Sequence, residues 1–433
     1  MPRLAPLLTC LLGLLLAASP ARAQSMPPWG TGESRGEDLS IYLVTFSPGD
    51  DVPSWFGHGA LVVEDPVQKD SRIYNYGMFS FDSSMLARYA MGRLEFWVAD
   101  HNPGPVFRLY RSLNRDIRLQ ELNLTPAQKV ELGRLLAENA LPENASYLYH
   151  HYNDNCVTRL RDALDKVLGG QLHAATSGPG RMTLREHTER YASANIGMSL
   201  LLDFLMNDEI DQPTTRWQEA FLPAELERQV AELQVVGEDG QRRPLVAKAM
   251  TVFKSARPAT PEAPPRDEPL LLLVGLALGG GAVGLSLWGR RGGRAPRILL
   301  GLENILAGLV FGVPGLALFI MWLFTEHTVT YRNENLFLAN PLTVLAVPLG
   351  IGLLRGSEKA RARLRAVWAV LAGLGLLGLA LKVLPPFDQD NWRLIALLLP
   401  LNVGMAGALL LARAWAPGSA RTPEALASSL KPS

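Results

Sequence analysis

The sequence predicts a protein in two parts, an α+β domain carried outside the cytoplasm and an all-α membrane bundle of five spans behind it. Three observations carry this expectation. The chain opens on an export signal, strand-like runs precede helix-like runs over residues 24–254, and long apolar stretches fill the last third. The 433 residues leave room for more than one domain, and 48% hydrophobic content excludes disorder. A net charge of +1 offers no basic excess for nucleic acid, and two cysteines cannot staple a scaffold.

Residues 1–23 read as a signal peptide. Arg3 gives the positive start, residues 4–18 the apolar core, and Ala21-Arg22-Ala23 the small-x-small site before Gln24. Cleavage removes Cys10 and leaves Cys156 as the one thiol, which marks it as a reactive candidate.

The exported domain, 24–254, begins with strand-like runs at 41–46, 58–64, 72–76, 94–99, 106–110 and 117–122. Thr125-Pro126-Ala127-Gln128 is a capping box with Pro at the first helical position, so a helix follows to about residue 140. A second helix is expected to begin near Cys156, and more helical sequence fills 195–235. Residues 255–268, rich in Pro, form a linker to the membrane.

The membrane part, 269–412, holds apolar stretches at 270–288, 298–324, 341–354, 366–384 and 394–412, the third being short. Arg290, Arg291, Arg294 and Arg297 follow the first stretch, and Arg355, Lys359, Arg361, Arg363 and Arg365 follow the third. The opposite loops hold only Arg332 and Arg393, beside Glu326, Glu334, Asp388 and Asp390. The basic loops and the tail, 413–433, are therefore expected in the cytoplasm, and the N-terminal domain outside. The signal peptide demands the same side.

There is no P-loop, no G-x-S-x-G, no H-E-x-x-H and no C-x-x-C. Only His150 and His151 cluster among the histidines, and adjacent residues seldom chelate one ion, so neither a metal nor a cofactor is expected. What remains is Cys156, in the run Tyr149-His150-His151-Tyr152-Asn153-Asp154-Asn155-Cys156-Val157-Thr158-Arg159. Three N-capping residues precede it, and Leu160, Ala163, Leu164, Val167 and Leu168 share its helical face. A thiol in a first helical turn meets the positive end of the dipole and free N–H groups that cradle an oxyanion. The competing reading is a buried structural cysteine.

A thiolate needs a base. His58, in Trp55-Phe56-Gly57-His58-Gly59-Ala60, has glycines on both sides and a strand behind it, and its imidazolium would hold the thiolate at neutral pH. A turn histidine without a role is the alternative. Asn75, in Tyr74-Asn75-Tyr76-Gly77, is expected to orient the ring, with Glu64 as the other candidate.

These runs together resemble the Lnb-type lipoprotein N-acyltransferase family. The likeness rests on G-H-G-A-L at 57–61, on Tyr74, Tyr76, Gly77 and Phe79, and on Y-N-D-N-C-x-T-R at 152–159. It extends to Asp211-Gln212-Pro213-Thr214-Thr215-Arg216-Trp217 with Phe221-Leu222-Pro223, and to the loop His327 to Leu336. The order of histidine before cysteine is also similar to permuted papain-like folds of the NlpC and lecithin:retinol acyltransferase kind. The resemblance implies a periplasmic domain of that fold joined to a bundle in the bacterial inner (cytoplasmic) membrane, with Cys156 as nucleophile and His58 as base.

It further implies that a membrane phospholipid donates an acyl chain to Cys156, and that the N-terminal amine of a diacylglyceryl-cysteine lipoprotein takes it from the thioester. Arg159 and the loop residues His327, Asn333, Glu334 and Asn335 are the expected substrate-binding groups, although a surface salt bridge and a helix-capping loop explain them as well. Two other functions stay open at this point: a cell-wall thiol peptidase or amidase of the NlpC kind, and a membrane sensor without activity.

Overall fold

A computed structural model describes residues 25–79, 83–237 and 240–412. The expected signal peptide with Cys10 and the expected cytoplasmic tail lie outside the described residues. The chain forms two compact units: one holds the residues up to Phe79, Glu95–Ser177 and Ala220–Arg257, the other Ser80–Leu94, Gly178–Glu219 and the residues from Pro258 on.

The first unit is built on an antiparallel sheet. Its strands are β1 (Ser40–Phe46), β2 (His58–Asp65), β3 (Asp70–Met78), β4 (Glu95–His101), β5 (Ile117–Leu122) and β6 (Ser146–Leu148). A small pair, β7 (Gln234–Val236) and β8 (Arg242–Pro244), precedes β9 (Val246–Phe253). The large sheet has the order β6-β4-β3-β2-β1-β5-β9. β2 lies at its centre, and β1 beside it has Leu43 opposite Leu61 on one side and Gln120 on the other.

Strand parity decides what each face carries. Val44, Phe46, Ala60, Val62, Ile73, Ile117 and Leu119 form one apolar layer, which Val106, Phe107 and Tyr110 cover. Those covering residues correct a sequence expectation, for 106–110 is not a strand but part of the Pro103–Ser112 helix. The Asn102 side chain accepts from the Gly104 N–H, and Pro103 starts the helix with a fixed φ. Val106, Phe107 and Tyr110 then fall three or four residues apart on one face, a spacing that alternation had concealed. The Thr125 capping box forms as expected and starts the Pro126–Asn139 helix.

The second unit is helical. Among the described residues, four helices are long and apolar enough to cross a membrane: Glu268–Gly289, Ala295–Phe324, Glu358–Leu381 and Trp392–Leu411. The third expected span, 341–354, is the second of two helical pieces, Thr328–Phe337 and Pro341–Leu354, bent by 62°, so the number is four, or five if this pair counts as one. The break has a local cause. Asn340 caps a new helix, accepting from the Leu342 N–H, and Pro341 cannot continue the old one. Deep among the spans, the Trp368 indole N–H donates to Asn304 Oδ1 at 2.7 Å, so neither polar group faces hydrocarbon unpaired.

Candidate active site

Cys156 is the first residue of the Cys156–Val167 helix. Asn155 makes that start rigid: its Oδ1 accepts from the N–H groups of Val157 (2.8 Å) and Thr158 (2.9 Å). Its Nδ2 donates to the carbonyls of His151 and Phe221 at 2.8 and 3.0 Å. Val157, Leu160, Leu164 and Val167 bury the helix against the sheet. Two glycines permit the close approach. A Cβ on Gly59 would lie 3.1 Å from Leu160, and one on Gly77, whose φ is +85°, would lie 3.2 Å from the Cys156 Cβ.

His58 opens β2, where it pairs with Phe46. Its Nε2 lies 3.3 Å from Asn75 Oδ1. An amide oxygen only accepts, so Nε2 carries the proton and Nδ1 is left basic. Of the two expected orienting groups, Asn75 meets His58, whereas Glu64 stands farther along β2 and accepts from the Ser71 hydroxyl at 3.3 Å. The imidazole lies nearly parallel to the rings of Phe46 and Tyr110, at 5.9 and 6.1 Å, and those two rings stack at 3.6 Å.

The backbone N–H groups of Gly59, Cys156 itself and Val157 lie near the Cys156 sulfur and favour its charged form. The sulfur is thus near the residue that follows His58. Burial pushes the thiol up to about 11, against the opposing pull of those N–H groups and the positive charge of Arg115. Burial and the same guanidinium push His58 down to about 4, with the Asn75 hydrogen bond opposing. The Cys156 thiol and the His58 imidazole are therefore each neutral, in place of the thiolate expected at a helix start. Desolvation outweighs the dipole here.

Sequence reading missed Arg115, which no local motif marks. Only 6% exposed, it donates from Nε to the Ser47 carbonyl at 2.6 Å and lies 4.6 Å over the Tyr110 ring. Its Nη2 is buried without a hydrogen-bond partner. Arg159, expected to bind substrate, holds Asp154 with two hydrogen bonds of 2.5 and 2.7 Å and covers the Tyr147 ring at 4.2 Å. It also lines an open polar cavity of about 390 Å³ with Asn139, Asn153, Asp154, Asp162 and Lys166.

The expected loop residues belong to the other unit, where they bind their neighbours. His327 Nε2 donates to the Tyr89 carbonyl at 3.0 Å. Asn333 and Asn335 donate to the Phe204 carbonyl at 3.2 and 3.1 Å, and Asn335 Oδ1 accepts from Asn391 at 2.8 Å. Glu334 pairs with Lys382 at 2.6 Å. Among the described residues, no group of three or more His, Cys, Asp or Glu is placed to hold a metal ion.

Two family models match the chain, the Lnb N-terminal periplasmic domain over residues 25–190 and the Lnb transmembrane domain over residues 285–409. Comparison with curated proteins and with solved structures gave no match. The first model covers β1 to β6 with His58, Asn75 and Cys156, and the second covers most of the membrane helices. The chain therefore belongs to the Lnb family, as a membrane protein whose N-terminal domain lies outside the cytoplasm.

Proposed function

We propose that this protein is a lipoprotein N-acyltransferase of the bacterial inner membrane, working on the periplasmic side. The reading is supported by a thiol at a helix start near the Gly59 backbone, by the strand-borne histidine that precedes Gly59 and meets Asn75, and by membrane helices in the same chain. The same order of parts underlies the permuted papain-like reading of the sheet domain.

The reaction runs in two halves. His58 Nδ1 takes the Cys156 proton as the sulfur adds to an ester carbonyl of a membrane phospholipid. The tetrahedral intermediate collapses, the sulfur keeps the acyl group, and the leaving lysophospholipid oxygen takes the proton from His58. The free α-amine of a diacylglyceryl-cysteine lipoprotein then attacks the thioester. His58 removes the amine proton and returns it to the departing sulfur, so the enzyme ends as it began.

A thioester suits an amine acceptor, because thiolate leaves readily and the amide product lies downhill. Arg159, on the wall of a polar cavity, is assigned to the donor headgroup. His327, Asn333, Glu334 and Asn335 are assigned to framing the outer end of the membrane unit, where the lipid substrates lie.

The test mixes the purified full-length protein with phospholipid vesicles and a diacylated lipopeptide. The lipopeptide should gain the mass of one acyl chain. Cys156→Ala should lower the rate by about 10⁴-fold or more. Cleavage of wall peptides without any gain in lipopeptide mass would overturn the reading in favour of a thiol peptidase.

A further inference from the structure

Acyl transfer through Cys156 places a negative charge on the carbonyl oxygen twice per cycle, and that oxygen needs donors. A helix start usually supplies several. Here Asn155 has taken the Val157 and Thr158 N–H groups for its own cap, at 2.8 and 2.9 Å. The Cys156 N–H, at the first position of the helix, donates to no backbone carbonyl. That leaves the N–H groups of Cys156 and Gly59 as backbone donors near the sulfur, and a side-chain donor would complete the pocket.

Tyr147, on β6, is 9% exposed, and its hydroxyl is buried without a hydrogen-bond partner. Leaving a buried hydroxyl unpaired is costly, and such groups in folded proteins ask for a reason. Its position gives one. The point where a Cβ on Gly77 would sit lies 3.2 Å from the Cys156 Cβ and 3.9 Å from Tyr147 Oη. The missing side chain keeps a recess open between the nucleophile and the phenol. The Tyr147 ring is held in place by Arg159 at 4.2 Å over one face and by the edge contact of Tyr76 at 6.4 Å. The phenol also senses the sulfur: burial, and then charge on Cys156, push its ionisation up, so it keeps its proton and remains a donor.

We propose that Tyr147 is a further catalytic residue, whose hydroxyl donates to the tetrahedral oxygen alongside the Cys156 N–H in the recess left by Gly77. No proton changes hands. The carbonyl π pair moves onto oxygen as sulfur adds, the phenol O–H donates to it, and the pair returns when the leaving group departs. This rests on the thioester reading above and names the donor that the reading requires.

The test uses full-length protein with p-nitrophenyl butyrate, following acyl-Cys156 by mass, and in parallel with iodoacetamide. Alkylation by iodoacetamide forms no oxyanion and so reports the thiol alone. Tyr147→Phe, which removes only the oxygen, should slow acylation by about 10²-fold at saturating ester with KM nearly unchanged. Its alkylation rate should match that of the native protein. Acylation at the native rate, or acylation and alkylation falling together, would overturn the inference alone. If the native protein forms no acyl adduct on Cys156 at all, the thioester reading fails and this inference with it.

Discussion

Among the buried arginines, Arg185 at 1% exposure and Arg115 at 6% are treated in opposite ways. Arg185, in the helical unit, is surrounded by acceptors. It pairs with Asp211 through two nitrogens and donates to the carbonyls of Asp203, Met206 and Asn207. Arg393 nearby is equally engaged, holding Asp267, Asp203 and Ser199. Arg115, in the sheet unit, has one carbonyl, one aromatic face and no carboxylate.

The difference separates structure from chemistry. A buried charge whose every donor is used has nothing left to offer a substrate, and its work is to fix the fold. A buried charge left unpaired is a cost that packing does not explain. It becomes intelligible beside groups that carry charge only during a reaction. The same contrast holds for smaller groups: Asn335 uses both ends of its amide within the unit, whereas the Tyr147 hydroxyl uses none.

Breaking the paired arginine should have the largest effect, and on stability. Arg185→Met leaves Asp211 buried without its cation and should destabilise the protein by about 3–5 kcal/mol. Thermal unfolding in detergent reads this, and the activity per folded molecule should stay near the native value. A variant as stable as the native protein would show that the network does not hold the unit together.

Breaking the unpaired arginine should do the reverse. Arg115→Gln removes a positive charge that disfavours protonation of both Cys156 and His58, so both should titrate at higher pH. The active pH window then moves alkaline at both edges, with about tenfold less thiolate at a given pH. Arg115→Lys should keep the native profile. If only one edge moves, or if lysine behaves as glutamine does, the charge is not what matters.

The smallest effect is in the pH dependence of stability, where the two regions should differ in sign. His58 binds its proton less readily folded, at about 4, than in the unfolded chain, where its ordinary value is 6.5. Its contribution is therefore present above 6.5 and lost as pH falls toward 4. Glu189 is held above the ordinary carboxylate range by burial and by the Asp203 charge beside it. Its contribution is present at low pH and lost as pH rises through and beyond 4.5. Melting temperatures across pH should show His58→Gln flattening the loss of stability toward acid, and Glu189→Gln flattening the fall above pH 4.5.

Much of this was legible in the sequence because it was local. The Thr125 box, the Asn155 cap and the helix start at Cys156 each depend on a few neighbouring residues. His58 could be singled out by its flanking glycines, and Asn75 by its place on the next strand. What sequence hid was set by distance or competition. The run 106–110 fits a strand and a helix equally, and the Asn102-Pro103 start decided it. The bend before Pro341 was written in Asn340-Pro341 but masked by the apolar residues around it. Arg115 and Tyr147 carry no motif, and only the sheet brings them into the neighbourhood of Cys156. A weak signal for Tyr147 did exist, as the Tyr147-x-Tyr149 alternation just upstream of the cysteine run.

The most direct measurement is mass spectrometry of the Cys156 peptide after incubation with phospholipid alone. An acyl adduct on that cysteine should build up in the native protein and be absent in His58→Ala. Lipopeptide acylation that proceeds while Cys156 never carries the chain, or an adduct that forms equally fast without the imidazole, would contradict the thiol–histidine centre.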